Sequence, residues 1–179
     1  MKKKKPQQKL NNNMPKQLEI ITYPHPILRK KSEIIDKNEL LDKNLKELLL
    51  DMEETMKVKD GAGLAAPQIG RNIRLIVISH NKKTLFLINP TITKKSWARK
   101  IEEEGCLSVV NEKGEIVYAP VSRHKRVNCV YLDEKGNKKT LAAEDLLARV
   151  IQHEIDHLDG ILFIDRLSDF PTKPNKTKK

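Results

Sequence analysis

Residues 152–157 read Gln-His-Glu-Ile-Asp-His, late in a segment with helical apolar periodicity. Histidines at i and i+4 lie one turn apart on one helical face, so His153 and His157 can both reach one cation. Glu154 projects to the rim of that face, where it can take a proton from metal-bound water without being a ligand. A catalytic metal site needs a third protein ligand and an open position. In proteases that share this motif the third ligand lies downstream. Here Phe163 fills one such slot and cannot bind metal, and no Glu follows Glu154. The ligand must then come from upstream, or from Asp159 or Asp165, which sit at or beyond the expected helix stop at Gly160. The upstream candidate is Cys106, in Glu104-Gly-Cys-Leu-Ser108, because a thiolate binds borderline divalent metals well. A late helix would then have to pack against a segment from the middle of the chain.

The rest of the pattern says what that helix packs on. Leu45, Leu48, Leu49, Met52 and Met56 recur at helical spacing and predict a helix that stops before Asp60-Gly61. Residues 74–79 and 85–89 are β-branched and apolar, and read as strands joined by a polar turn at Asn81 to Lys83. Residues 126–132 and 138–142 flank Asp133-Glu-Lys-Gly-Asn137, a hairpin signal. Residues 144–158 read as a second helix with Leu146, Leu147, Val150, Ile151, Ile155 and Leu158 on its apolar side. No βαβ repeat appears, so the expected class is α+β: antiparallel sheets around a central metal-binding helix, in one domain over residues 18–167.

The net charge of +11 is unevenly spread. Residues 1–17 hold six Lys and no acid, and residues 168–179 hold four Lys and one acid, so the two tails carry nine of the eleven charges. The body is nearly neutral, which argues against a fold built around a basic groove for specific DNA binding. Both tails are expected to be flexible and solvated; simple charge can also draw such tails to RNA or a ribosome surface. Lys2 to Lys5 resemble the start of a signal peptide, but no apolar stretch follows, so the expected location is the cytoplasm. An organelle-targeting leader within residues 1–17 is the alternative. No run reaches the ~20 apolar residues of a membrane helix. Of the two cysteines, Cys129 lies inside a strand pattern and reads as a small buried hydrophobe.

A third segment, Gly61-Ala-Gly-Leu-Ala-Ala-Pro-Gln68, has no phosphate-loop Lys and offers bare backbone against which a peptide can lie. Together, Gly61-x-Gly-Leu-Ala-x-x-Gln68, Glu104-Gly-Cys-Leu-Ser108 and Gln152-His-Glu-x-x-His157 closely resemble, in order and spacing, the three signature motifs of the peptide deformylases. The opening Ile21-Thr-Tyr-Pro-His-Pro-Ile-Leu-Arg29 is similar too, with His25 where an acid is usual. Val110 stands where proline is frequent, and Asn111 to Glu115 read as a polar bulge.

The resemblance implies removal of the formyl group from N-formylmethionine at the start of new polypeptides. It implies Cys106, His153 and His157 as metal ligands, and Glu154 as general base and then acid. Gln68 and the Leu107 N–H would steady the oxyanion. Gly61, Gly63 and Gly105 would hold the substrate backbone extended, and Leu64, Leu146 and Val150 would line the methionine pocket. The implied native ion is Fe2+, with Zn2+, Ni2+ or Co2+ possible in a preparation. Arg123 is expected to pair with Glu104 and brace the metal loop. The competing readings are a zinc endopeptidase with another third ligand and a non-catalytic body whose basic tails bind nucleic acid or the ribosome.

Overall fold

The computed structural model describes residues 14–168, so the flexible, solvated tails expected at 1–13 and 169–179 lie outside the described residues. The first helix, α1 (Lys43–Val58), starts where the Asp42 side chain accepts the Asn44 N–H at 3.0 Å. Leu45, Leu49, Met52 and Met56 are buried as the periodicity requires, and Leu48 packs at their margin. At the C-terminal end Asp60, not Gly61, takes the left-handed conformation (φ 52°), and the Gly61 N–H reaches back to the Met56 carbonyl at 2.9 Å.

Seven strands follow: β1 (Gly63–Ala65), β2 (Leu75–His80), β3 (Lys83–Lys95), β4 (Arg99–Val110), β5 (Ile116–His124), β6 (Arg126–Leu132) and β7 (Lys138–Glu144). The order β1-β2-β3-β6-β7 makes one antiparallel sheet, and β4-β5 make a second. The α2 helix (Asp145–Leu158) closes the series. Alternation in β2 explains the layering. Leu75 and Val77 face α1, while Ile76 and Ile78 face α2 with Leu87, Val127, Ala148, Ile151 and Leu158. Both faces of this strand are covered, which is why it reads as a continuous apolar run. A third cluster, with Leu28, Cys106, Val109, Val121, Leu162 and Phe163, ties the β4-β5 hairpin to the end of the chain. The single-domain α+β expectation is met.

Three local expectations change. The second strand of the first hairpin does not end at Asn89; that residue adopts φ 52°, the ladder shifts register, and β3 continues through Pro90. The Asn111–Glu115 segment is the β4-β5 turn rather than a bulge: Asn111 Oδ1 accepts from the Lys113 and Glu115 N–H groups, and Gly114 takes φ +80°. Leu146 does not pack into the core and is 67% exposed. Cys129 is fully buried in β6, and burial lifts its thiol to about 11.

Gly160 ends α2 at φ +73°, and a Cβ there would come within 2.5 Å of the Arg29 carbonyl oxygen. Gly160→Ala therefore combines backbone strain with a clash against main chain and lowers the unfolding free energy by about 1–3 kcal/mol in urea titration. A loss below about 0.5 kcal/mol would show that the Arg29 segment yields freely.

Candidate active site

Helix α2 carries His153, Glu154 and His157, and β4 brings Cys106 onto them. Pairing of β4 with β5 lapses between Gly105 and Val110, so residues 106–109 turn away from the ladder at this point. Cys106 Sγ lies 3.2 Å from His157 Nε2, and the His153 and His157 ring centroids lie 5.0 Å apart with their planes nearly perpendicular. Ligand atoms of Cys106, His153 and His157 all fall within 4.8 Å of one another, the one such group among the described residues. Sulfur and two imidazole nitrogens suit a borderline divalent cation, so the residues present fit a metal. Asp159 and Asp165 are engaged elsewhere, with Arg74 and Arg29. Phe163, in the slot where some proteases carry a third histidine, stacks on the His153 ring at 6.2 Å.

Protonation follows from the surroundings. Burial, with the charges of His153 and Arg123, holds His157 well below its ordinary value, which leaves the neutral imidazole that ligates. His153 Nδ1 lies 3.0 Å from Glu104 Oε2; when that nitrogen donates, Nε2 is left for a cation. Burial alone would raise Glu104, but hydrogen bonds from His153 and Arg123 outweigh it and hold the carboxyl at about 2.

Glu104 is the centre of a buried ionic network. Arg123 grips it with two bonds of 2.9 Å, as the expected brace requires, and Arg149 adds a third at 2.6 Å. Arg123 also reaches Asp156, which Arg166 holds in turn. Arg149 further bonds the Lys100 and Val121 carbonyls, linking α2 to both strands of the hairpin. Sequence reasoning missed Arg149 and Asp156. The available signal was a charged residue four positions before His153 and an acid between the histidines, both on a helix that must be buried.

A cavity of about 250 Å³ opens beside these ligands, walled by Gly61, Gly63, Gln68, Gly105, Leu107, Leu146, Val150 and Glu154 among others. Leu64 is not a wall; its side chain is fully buried in the core under α1, because alternation along β1 turns it away. Tyr118 and Ile116 of β5, absent from the expected set, line the opposite side. Gln68 donates to Ser108 Oγ at 3.2 Å and to Cys106 Sγ at 3.5 Å, while its carbonyl accepts the Ala65 N–H at 2.8 Å. Glu154 is buried and its Oε2 has no hydrogen-bond partner. Burial, the largest influence, raises its carboxyl to about 7. His25 is exposed, away from the site, and caps the turn after it by accepting the Ile27 N–H at 3.2 Å.

A metal-competent donor trio beside a poised carboxylate, opening on a cleft with bare backbone walls, is the equipment of a metal-dependent amide hydrolase. The comparisons specify which. The family model described as polypeptide deformylase matches residues 17–173. A peptide deformylase of Microchaete diplosiphon is 44% identical over 158 residues, covering 86% of this chain and 80% of that one. A Thermotoga maritima peptide deformylase structure superposes with TM-score 0.78 at 37% identity, over 86% of this chain and 99% of that one. A class I type b peptide deformylase from Acinetobacter baumannii, solved with Met-Ala-Ser bound, gives TM-score 0.79 at 31% identity, over 86% of this chain and all of that one. The chain belongs to the polypeptide deformylase family. It is a metal-dependent hydrolase that removes the N-formyl group from new polypeptides.

Gly63 packs directly against Glu154. A Cβ on residue 63 would lie 2.6 Å from Glu154 Oε1 and 2.8 Å from its Cγ. Gly63→Ala must push the buried carboxylate aside, so turnover of a formyl-Met peptide falls at least tenfold while bound metal, measured on the same sample, stays near one per chain. Unchanged turnover would mean that the carboxylate's position is not critical.

Proposed function

We propose that Cys106, His153 and His157 hold the catalytic cation and that Glu154 moves the proton. The observation that carries this reading is the convergence of a thiol from β4 with two imidazoles from α2, beside a carboxylate oxygen left without a partner. A divalent cation supplies Lewis acidity at this point, making water nucleophilic near neutral pH. Glu154 accepts the proton of the attacking water as the formyl carbon is approached. A carboxyl raised to about 7 is matched to taking and returning a proton near neutrality. It then delivers that proton to the departing amine. The Gln68 amide and the Leu107 N–H receive the negative charge that develops on the formyl oxygen; removing one such donor costs about 3–4 kcal/mol in other acyl-transfer sites.

The substrate's peptide lies extended along the free edge of β1. Among the described residues that strand pairs only with β2 and ends its sheet, which supports strand addition at Gly61 and Gly63, with Gly105 on the facing side. The methionine side chain packs on Leu146 and Val150. Exposed Leu146 then has a use: it is an apolar wall waiting for an apolar ligand. A formyl carbon bears only hydrogen, so a tight seat beside Glu154 admits it and excludes bulkier acyl groups.

The native ion is Fe2+, with Zn2+, Ni2+ or Co2+ taking its place in a preparation. A ferrous thiolate site is sensitive to oxidation and fits a reduced cytoplasm. The basic ends, 1–17 and 168–179, draw the enzyme toward ribosomes by charge.

Glu154→Ala leaves the three ligands intact. Assayed on formyl-Met-Ala-Ser after anaerobic preparation, it retains the metal and loses about 10²–10⁴-fold in kcat. Near-normal turnover would mean that another group moves the proton, and highest activity with zinc would count against iron.

A further inference from the structure

On the face of α2 away from the active site, a second cavity of about 260 Å³ is walled by Arg74, Lys95, Arg99, Arg123, Arg166, His124, Asp156 and Asp159 among others. Arg74 pairs with Asp159, and Arg123 and Arg166 pair with Asp156. Among the described residues Lys95 and Arg99 have no carboxylate within 4.0 Å, so the cavity keeps an excess of positive charge. Arg99 is nonetheless fixed. It donates to Ser122 Oγ at 2.9 Å, to the Ser122 carbonyl at 2.8 Å and to His124 Nε2 at 3.0 Å. A guanidinium only donates, so His124 Nε2 accepts. His124 Nδ1 therefore carries the proton and gives it to the Ser96 carbonyl at 2.6 Å.

Between Lys95 and Arg99 stands Trp97, the sole tryptophan of the chain and 100% exposed. Its corner is braced, not loose. The Ser96 N–H bonds the Arg126 carbonyl at 2.9 Å, the Lys125 N–H bonds the Ala98 carbonyl at 2.9 Å, and Ser96 Oγ accepts the Arg126 N–H at 3.1 Å. Exposed Lys94, Lys95, Lys125 and Arg126 surround it, none of them ion-paired among the described residues; Glu144 and Asp145 bound the far side. An indole presented by a rigid backbone, with cations on both flanks and a positive cavity behind it, has the two elements that hold single-stranded nucleic acid: a face for a base and charge for the phosphates.

We propose that the Trp97 corner binds single-stranded nucleic acid without sequence preference, one base stacking on the indole and the neighbouring phosphate taken by Lys95 and Arg99. This surface is independent of the catalytic assignments and separate from the basic tails. The chain's single indole makes the test direct. Full-length protein is titrated with an oligouridylate of about twelve nucleotides while tryptophan emission is followed; a labelled copy of the oligonucleotide reports affinity by anisotropy. Emission is expected to be quenched as the complex forms. Trp97→Ala is expected to weaken binding about tenfold or more, and Lys95→Ala to lower the salt dependence by about one phosphate contact. Both variants should turn over formyl-Met peptides normally and keep the native circular dichroism. Three results would overturn the proposal: binding by Trp97→Ala within twofold of the parent, binding that leaves the emission untouched and so belongs to the tails, or an emission shift with phosphatidylcholine–phosphatidylserine vesicles and none with the oligonucleotide.

Discussion

The buried Glu104 carboxylate is the joint on which the site depends. It belongs to β4, two residues before Cys106, and its partners come from β5 (Arg123) and α2 (Arg149, His153). One acid therefore fixes the strand that supplies the thiol to the helix that supplies the imidazoles. Buried ion pairs of this kind add little net stability over well-packed apolar groups, because desolvation offsets the Coulomb gain. Losing one member is a different matter, since it strands charge in the interior. What the network contributes is geometry: a shift of β4 along α2 would unpair Glu104 and two arginines together.

Packing supplies what the network does not. The sheet strand β2 is buried on both faces, so α1 and α2 are held on opposite sides of one rigid layer. β1 hangs on the edge of that layer and delivers Gly63 against Glu154, and the 3-10 turn after it, Ala66–Ile69, delivers Gln68 against Cys106. Glycine at 63 is thus explained by two demands, the seating of a buried carboxylate and, on the proposed reading, the passage of a peptide backbone.

Much of this was legible in the residues, for identifiable reasons. The two helices and the β2-β3 and β6-β7 hairpins announce themselves because one or both faces are apolar. The His153 and His157 pair is local, so spacing alone places it. Strand β4 was not legible as a strand, because Arg99, Lys100, Glu102, Glu103 and Glu104 carry no apolar alternation; the Glu104–Arg123 pair was expected, but not its burial with Arg149 as a second arginine. Leu64 was misread as a pocket wall, and Leu146, which does line the cavity, was misread as part of the helix's buried side. Period-two alternation in a three-residue strand hides Leu64 in the core, and a binding wall must leave an apolar residue exposed, as Leu146 is. Contacts made across the chain, and surfaces kept for a ligand, carry no local pattern.

X-ray absorption at the zinc edge of zinc-loaded protein tests the central assignment most directly, because it counts sulfur and nitrogen neighbours around the ion. The account predicts one sulfur at about 2.3 Å and two imidazole nitrogens at about 2.0–2.1 Å, with the sulfur lost on Cys106→Ser. A first shell without sulfur in the parent protein, or one unchanged by that substitution, would contradict it.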